Sequence, residues 1–236
     1  MADDKSQALE RSELFAETPR AMRAAILSLA KSRKYACREQ MFLIDDPIDE
    51  TFLMMEGCAK ITQVTRNGKE VVIRIATAGE IVGELGLPPG TKHSSTAQTL
   101  QDCEALIWPT EAFENALVQY PLLQRNVHNI LRRRIGEIQS RISRISSTQV
   151  ASKRLAHELV RLANQMGHRV NRHVEINVPQ EVLAQMTAMG LFTLNRILSG
   201  WENQGLLRVH RQRIAINDSL GLSGLRGLLS HTTPSE

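Results

Sequence analysis

Val178-Pro-Gln-Glu-Val-Leu-Ala-Gln-Met-Thr187, Ala188-Met-Gly190 and Leu191-Phe-Thr-Leu-Asn-Arg-Ile-Leu-Ser-Gly-Trp-Glu-Asn-Gln-Gly205 form one continuous stretch near the C-terminal end of the chain. Pro179 suits the first position of a helix, where its missing amide hydrogen costs nothing, and Val182, Leu183 and Met186 fall on one side of that helix. Gly190 permits a tight turn. A second helix then carries Leu194, Ile197, Leu198 and Trp201 at i, i+3, i+4 and i+7. Those four are expected to bury, leaving Phe192, Asn195, Arg196 and Ser199 on the opposite side. Two short helices with a Gly-containing turn between them are a helix-turn-helix signature, in which the second helix enters the major groove of double-stranded DNA.

Gly205 ends the second helix, and Leu206–Val209 followed by Arg213–Ile216 reads as a small hairpin with the basic tip His210-Arg211-Gln212-Arg213. Such a wing can set Arg211 and Arg213 on phosphates, fixing register without reading sequence, or it is simply a solvated hairpin. Arg196 is the candidate base reader, because a guanidinium fork matches guanine O6 and N7. Its plainer alternatives are a phosphate contact and a surface ion pair. Thr193 and Asn195 are placed for phosphate or base edges, and Leu191 and Phe192 for thymine methyls or for closing the turn. Ser199 and Gln180 complete the expected DNA-facing set.

Charge agrees with this placement. Residues 1–150 hold 19 basic and 19 acidic residues, so the whole net charge of +4 sits in residues 151–236. An excess of cations confined to one part of a chain is the footprint of contact with a polyanion.

Upstream the pattern differs. Residues 12–32 read as short helices, with Ala21, Met22, Ala25, Ile26 and Leu29 at 3–4 spacing. From about Tyr35 the period is two, and Thr51–Glu56, Ala59–Val64, Val71–Ala76 and Ala105–Trp108 are strand-like. Gly57, Gly68 and Gly79 recur every eleven residues between the first strands. That spacing indicates an antiparallel sandwich or barrel, with Asn67-Gly68 expected in a type I′ hairpin turn. Residues 121–147 then predict one helix roughly 40 Å long, on which Leu131, Ile135, Ile138, Ile142 and Ile145 repeat at spacings of 4, 3, 4 and 3. Its other face, with Arg132, Arg133, Arg134, Glu137, Arg141 and Arg144, reads as polar. The heptad-like stripe predicts a parallel two-helix dimer seam rather than a core helix with a solvated face. Ser146-Ser147-Thr148 breaks the repeat as a candidate hinge, Leu155, Leu159 and Leu162 mark another amphipathic helix, and Asn164–Asn171 reads as a polar stretch.

With 236 residues, 42% of them hydrophobic and 23% charged, the chain has the makeup of one or two globular domains rather than a disordered or disulfide-stapled polypeptide. No apolar run reaches the ~18–20 residues of a membrane helix, and the acidic start lacks a signal-peptide layout, so a cytoplasmic protein without membrane contact is expected. Cys37, Cys58 and Cys103 are odd in number and far apart, which suits reduced, buried structural thiols.

In this order of parts the chain resembles the CRP/FNR family of bacterial transcription regulators, from about residue 13 to 217. The most specific matches are Gly79-Glu80-Ile81-Val82-Gly83-Glu84-Leu85-Gly86, similar to the family's effector-pocket cassette, and Gln180–Gly205, similar to its DNA-reading motif. The resemblance implies an α+β fold. Residues 1–120 would form a jelly-roll-like β-roll of the cyclic-nucleotide-binding-domain type, 121–147 a dimerisation helix and 148–236 a winged helix-turn-helix domain. It further implies a homodimer on a near-palindromic operator, with double-stranded DNA, a second copy of the chain and RNA polymerase as partners. An effector of unknown identity would occupy a pocket including Gly83, Glu84, Leu85, His93 and Ser94.

The chain also departs from the family. In cyclic-AMP-binding members an Arg-Ser pair holds the cyclic phosphate. Here Glu84 and Ser94 match, but His93 stands at the arginine position, and neutral imidazole lacks the charged fork a phosphate favours. Cyclic AMP is therefore not the expected effector, and Glu84 has an alternative role as a hydrogen-bonding residue in a turn. Three cysteines do not fit the four of the family's iron–sulfur branch, so a cluster is not expected either. His93, His128, His157, His168, His173, His210 and His231 leave a haem ligand open, and no residue cluster reads as a metal site. The best-known members carry an acidic residue four positions before the reading arginine, where this chain has Phe192.

Two rival readings fit the sequence less well. A cupin-like metal enzyme needs histidines on the strands, yet none precedes His93, and no Walker, G-x-S-x-G or His-Glu-x-x-His motif occurs, so the chain reads as a non-enzyme. A small-molecule sensor acting through a protein partner rather than DNA leaves the helix-turn-helix and the charge split unexplained.

Overall fold

A computed structural model describes residues 8–68, 70–85, 87, 90–146, 151–210 and 212–217, with 144–146 described by backbone only. The fold is α+β and divides into two compact units, Met1–Ile138 and Gln139–Glu236. Among the described residues no helix is long and apolar enough to cross a membrane.

The first unit is a two-sheet antiparallel sandwich. One sheet runs β1 (Lys31–Tyr35), β8 (Cys103–Pro109), β3 (Glu50–Glu56), β6 (Ile81–Val82), and the other β2 (Gln40–Phe42), β7 (Thr96–Thr99), β4 (Cys58–Val64), β5 (Glu70–Thr77). β3 explains why both sides of the first sheet are covered: its middle five residues are all buried. Phe52 and Met54 join the core that also holds Phe42, Ile61 and Ile107, while Leu53 and Met55 join a second core with Trp108, Phe113 and Leu123. An unbroken apolar run in a strand is what burial on two faces requires.

That second core is supplied by a short 3₁₀ turn (Glu13–Phe15), by α1 (Arg20–Ser28) and α2 (Thr110–Gln119), and by the first half of α3 (Pro121–Ser146). Two buried polar side chains tie it together. Trp108 Nε1 donates to the Ile26 carbonyl at 2.8 Å. Asn126 Nδ2 donates to the carbonyls of Leu14 and Ala16 at 3.0 and 2.8 Å. Asn126→Ala leaves the buried Leu14 carbonyl and the part-buried Ala16 carbonyl without this donor and is expected to cost about 2 kcal/mol, readable as a lower urea midpoint with unchanged slope.

Three sequence expectations need correction here. Helix was expected to Ser32, yet α1 ends at Ser28 and Lys31 begins β1. The side chains of Lys31 to Lys34 are all exposed on this edge strand, so no apolar alternation announced it, and edge charges also discourage unwanted pairing. Gly57, Gly68 and Gly79 do adopt left-handed backbone, with φ of +83°, +75° and +88°. Asn67 does not, so the β4–β5 turn is not type I′. The Gly68 amide donates to the Thr65 carbonyl at 2.8 Å, and the strands rejoin at Val64 and Glu70. Connections of that length are most often built around a type I turn, and among the described residues of this one Gly68 is the left-handed position. Cys58 and Cys103 are buried as expected, but Cys37 is exposed.

In the second unit, α4 (Ala151–Met166) buries Leu155, Leu159 and Leu162, α5 spans Gln180–Met186 and α6 spans Leu191–Asn203. A four-stranded antiparallel sheet accompanies them, in the order β11 (Leu207–His210), β12 (Arg213–Asn217), β10 (His173–Ile176), β9 (His168–Val170). β9 lies within the expected polar stretch Asn164–Asn171, and β10 follows just beyond it. The candidate hinge at 147–148 lies outside the described residues.

Candidate nucleic-acid interface and ligand cavity

α5 and α6 form the predicted two-helix unit. Val182, Leu183, Ala184 and Met186 of α5 and Leu194, Leu198 and Trp201 of α6 are buried, with Ile197 half-buried. The turn between them is made differently from the expectation. Gly190 has φ −71° and ψ 149°, an extended conformation open to any residue, and Ala188 is the left-handed position at φ +51°. Buried Thr187 closes the end of α5 by donating to the Leu183 carbonyl at 2.6 Å, and Arg154 Nε on α4 donates to the Thr187 carbonyl at 3.2 Å. The turn is thus held from outside as well as by its own backbone.

With one side of α6 fixed on this core, the other side is open. Leu191, Phe192, Asn195, Arg196 and Ser199 are exposed, Thr193 is half-buried at the edge of the same face, and Gln180 is half-buried at the start of α5. An exposed guanidinium, amide, hydroxyl and phenyl ring on one face supply both hydrogen-bonding and apolar chemistry to a groove.

The wing is partly engaged within the protein. Arg213 Nη1 lies 3.0 Å from Glu175 Oε2 on the neighbouring β10, so this arginine already has an anionic partner. Arg211 lies outside the described residues. Sequence reading missed Glu175 because it missed the β9–β10 hairpin. The available signal was Asn171, left-handed at φ +55°, ahead of the alternating Val174 and Ile176.

The first unit contains a cavity of about 290 Å³. Gly83, Glu84, Leu85 and Ser94 line it, as the cassette resemblance implied, but His93 does not. The His93 ring is 3% exposed, stacked on Phe42 with centroids 3.7 Å apart, and its Nδ1 lies 2.6 Å from Glu84 Oε2. The other Glu84 oxygen accepts from the Ser94 amide at 2.9 Å and the Ser94 hydroxyl at 2.8 Å. Burial pushes the Glu84 carboxyl up, but the hydrogen bonds from His93 and Ser94 outweigh it and bring its pKa down to about 2. An ionised carboxylate only accepts, so His93 Nδ1 is the donor. Glu84 therefore has the turn-bonding role that the sequence left open.

A depressed carboxyl pKa contributes stability above the unfolded value, near 4.5, and loses it as pH falls toward 2. Glu84→Gln is expected to lower stability by about 2 kcal/mol at pH 7, and to shrink the wild-type decline between pH 5 and pH 2.5 in urea titrations.

Arginines were the main residues missed at this cavity. Arg134, expected on a solvated face of α3, lines it instead and donates to the carbonyls of Gly83, at 2.9 Å, and Ile81. Arg74 on β5 also donates to the Ile81 carbonyl, at 2.7 Å, and lies 3.7 Å from Glu80. Burial lowers the Arg134 pKa to about 9, with Arg74 nearby adding to the effect. No periodicity reveals that an arginine reaches back to a loop fifty residues earlier. Arg133 is also paired, with Glu13, with Glu80 and, one turn on along the same helix, with Glu137.

α3 thereby has two dissimilar sides. Leu131 is partly buried against the helix-side core, and Leu131, Arg134 and Ile138 line the cavity. Ile135, Ile138 and Ile142 are 57%, 45% and 58% exposed. The side chain of Ile145 lies outside the described residues. Spaced three and four residues apart on one helix, these half-exposed isoleucines form an apolar stripe.

Comparison with known proteins matches each of the two units to a domain family. The cyclic nucleotide-binding domain family matches residues 32–120, and the Crp-like helix-turn-helix domain family matches residues 153–225. The CRP-like cAMP-activated global transcriptional regulator of Mycobacterium tuberculosis is 23% identical over 181 residues, covering 76% of this chain and 80% of that one. Transcriptional activator protein FnrA of Stutzerimonas stutzeri is 25% identical over 191 residues, covering 80% and 76%. The structure of FixK2 from Bradyrhizobium japonicum shares the fold, with a TM-score of 0.72 at 16% identity over 84% of this chain and 96% of that one. A β-roll followed by a long helix and a winged two-helix unit, with the cyclic nucleotide-binding and Crp-like helix-turn-helix families matched in that order and with regulators of this type among its relatives, places the chain in the CRP/FNR family of bacterial transcription regulators.

Proposed function

We propose that the chain acts as a homodimer on a near-palindromic DNA operator, with α6 of each copy in the major groove and the β-roll cavity holding a small effector. The observation that carries this reading is the two-sidedness of α6: Leu194, Leu198 and Trp201 are buried while Asn195, Arg196 and Ser199 are exposed on the other face. The stripe Ile135, Ile138, Ile142 supports self-pairing through α3, and a symmetric pair presents two reading helices to half-sites about 34 Å apart. The division into residues 1–120, 121–147 and 148–236 then corresponds to sensing, pairing and reading, and RNA polymerase is the partner through which promoter occupancy has its effect.

The cavity reaches the pairing helix directly. A ligand in it touches Leu131, Arg134 and Ile138, so its binding energy can bias the packing of the neighbouring stripe. Cyclic AMP is a poor match, because the imidazole at the arginine position is buried and spent on Glu84. A sensor that acts only through a protein partner is the weaker reading, since it gives the open face of α6 no task.

The test is a titration of promoter-fragment duplexes across salt concentration. Phosphate neutralisation predicts an observed affinity that falls steeply and log-linearly with salt, together with a preference for specific fragments. Binding that ignores salt, or no binding to any fragment, contradicts the proposal.

A further inference from the structure

We propose that Phe192 is a base-reading residue, and that it selects thymine through the 5-methyl group. The inference rests on α6 being the helix that enters the groove, and adds a determinant of which sequence it accepts.

Phe192 is 82% exposed and its neighbour Leu191 41%. Both lie in the first turn of α6, the part of a reading helix that meets base edges. The buried face behind them is already filled by Leu194, Leu198 and Trp201, so the ring is not a displaced core residue. It stands four residues before exposed Arg196, which places the two side chains on the same side of the helix, about 5–6 Å apart at Cβ. A base pair contacted by the ring is thus next to the one contacted by the guanidinium.

The chemistry of the groove then fixes the choice. Guanine presents two acceptors, cytosine a donor, adenine one of each, and thymine an acceptor and a methyl group. A phenyl ring neither donates nor accepts through conventional polar atoms. Against cytosine or adenine it covers an amino group without replacing its water, which is unfavourable. Against thymine it buries the one apolar group in the groove. A carboxylate at this position would act in the opposite sense, accepting from cytosine N4. Burial of a single methyl changes affinity by about fourfold, so two half-sites give roughly fifteenfold.

The experiment uses the full chain. Duplexes retained from a randomised library define the preferred site, and each symmetric pair of thymines in it is then replaced by deoxyuridine, which removes only the methyl. Wild-type protein is expected to bind about fifteenfold more weakly when the thymines beside the Arg196-dependent pair are replaced. Phe192→Ala is expected to bind thymine and deoxyuridine duplexes equally, while melting at the wild-type temperature because the ring is exposed. Equal wild-type binding of thymine and deoxyuridine at every position, or a methyl preference that survives in Phe192→Ala, overturns the proposal while leaving DNA reading intact. Recovery of no duplex from the library overturns DNA reading itself, and this inference with it.

Discussion

Replacing Ile135 and Ile142 together by aspartate is expected to leave a folded chain that no longer pairs and that binds duplex DNA at least a hundredfold more weakly. Both side chains are more than half exposed in the single chain, at 57% and 58%, so their loss opens no cavity in the protomer core. In a paired helix the still-exposed half of each is covered, about 1 kcal/mol apiece. Four such side chains per dimer amount to about 4 kcal/mol, roughly a thousandfold in the dissociation constant. Four carboxylates facing one another across the seam add repulsion. A lone chain then holds one half-site without the gain of the second, which commonly exceeds a hundredfold. Sedimentation equilibrium reads the pairing and a duplex titration the affinity. A variant that stays dimeric locates the pairing surface elsewhere.

Arg196→Ala carries the second large effect. A bidentate guanidinium on guanine is worth about 1.5 kcal/mol of discrimination per half-site, hence about 3 kcal/mol and roughly 150-fold for a two-half-site duplex. The pattern matters as much as the size. Base reading predicts that the variant accepts any pair at one position of each half-site and keeps its other preferences. A phosphate contact predicts uniform weakening across sequences and a shallower salt dependence. Arg196 is exposed on α6, so the fold is expected to be unaffected in either case.

The elements most legible in the sequence were those with a repeating reason. The glycines at 57, 68 and 79 each took the left-handed turn that their spacing announced. The face of α6 followed from Leu194, Leu198 and Trp201, because a helix bearing one apolar stripe has little choice of orientation. What escaped was the work of single polar residues over long sequence distances. Arg134 gripping the cassette carbonyls, His93 spent on Glu84, and Glu175 holding Arg213 all depend on tertiary placement, and none alters a periodicity. The edge strand β1 escaped for a related reason, since Lys31 to Lys34 put no side chain into a core. At the helix-turn-helix the glycine drew attention to Gly190, yet Ala188 bears the left-handed backbone. At the cavity, four of the five expected residues line one space, and the aliphatic and arginine walls were added by strands and helix that no local motif marks.

The central claim is that two copies of this chain read two half-sites of one duplex. It is tested most directly by native mass spectrometry and titration of the full chain on a selected palindromic duplex and on the same duplex with one half-site scrambled. Two chains per palindromic duplex, and at least a hundredfold weaker binding to the scrambled one, is the predicted result. One chain per duplex, bound equally well to both, would contradict it.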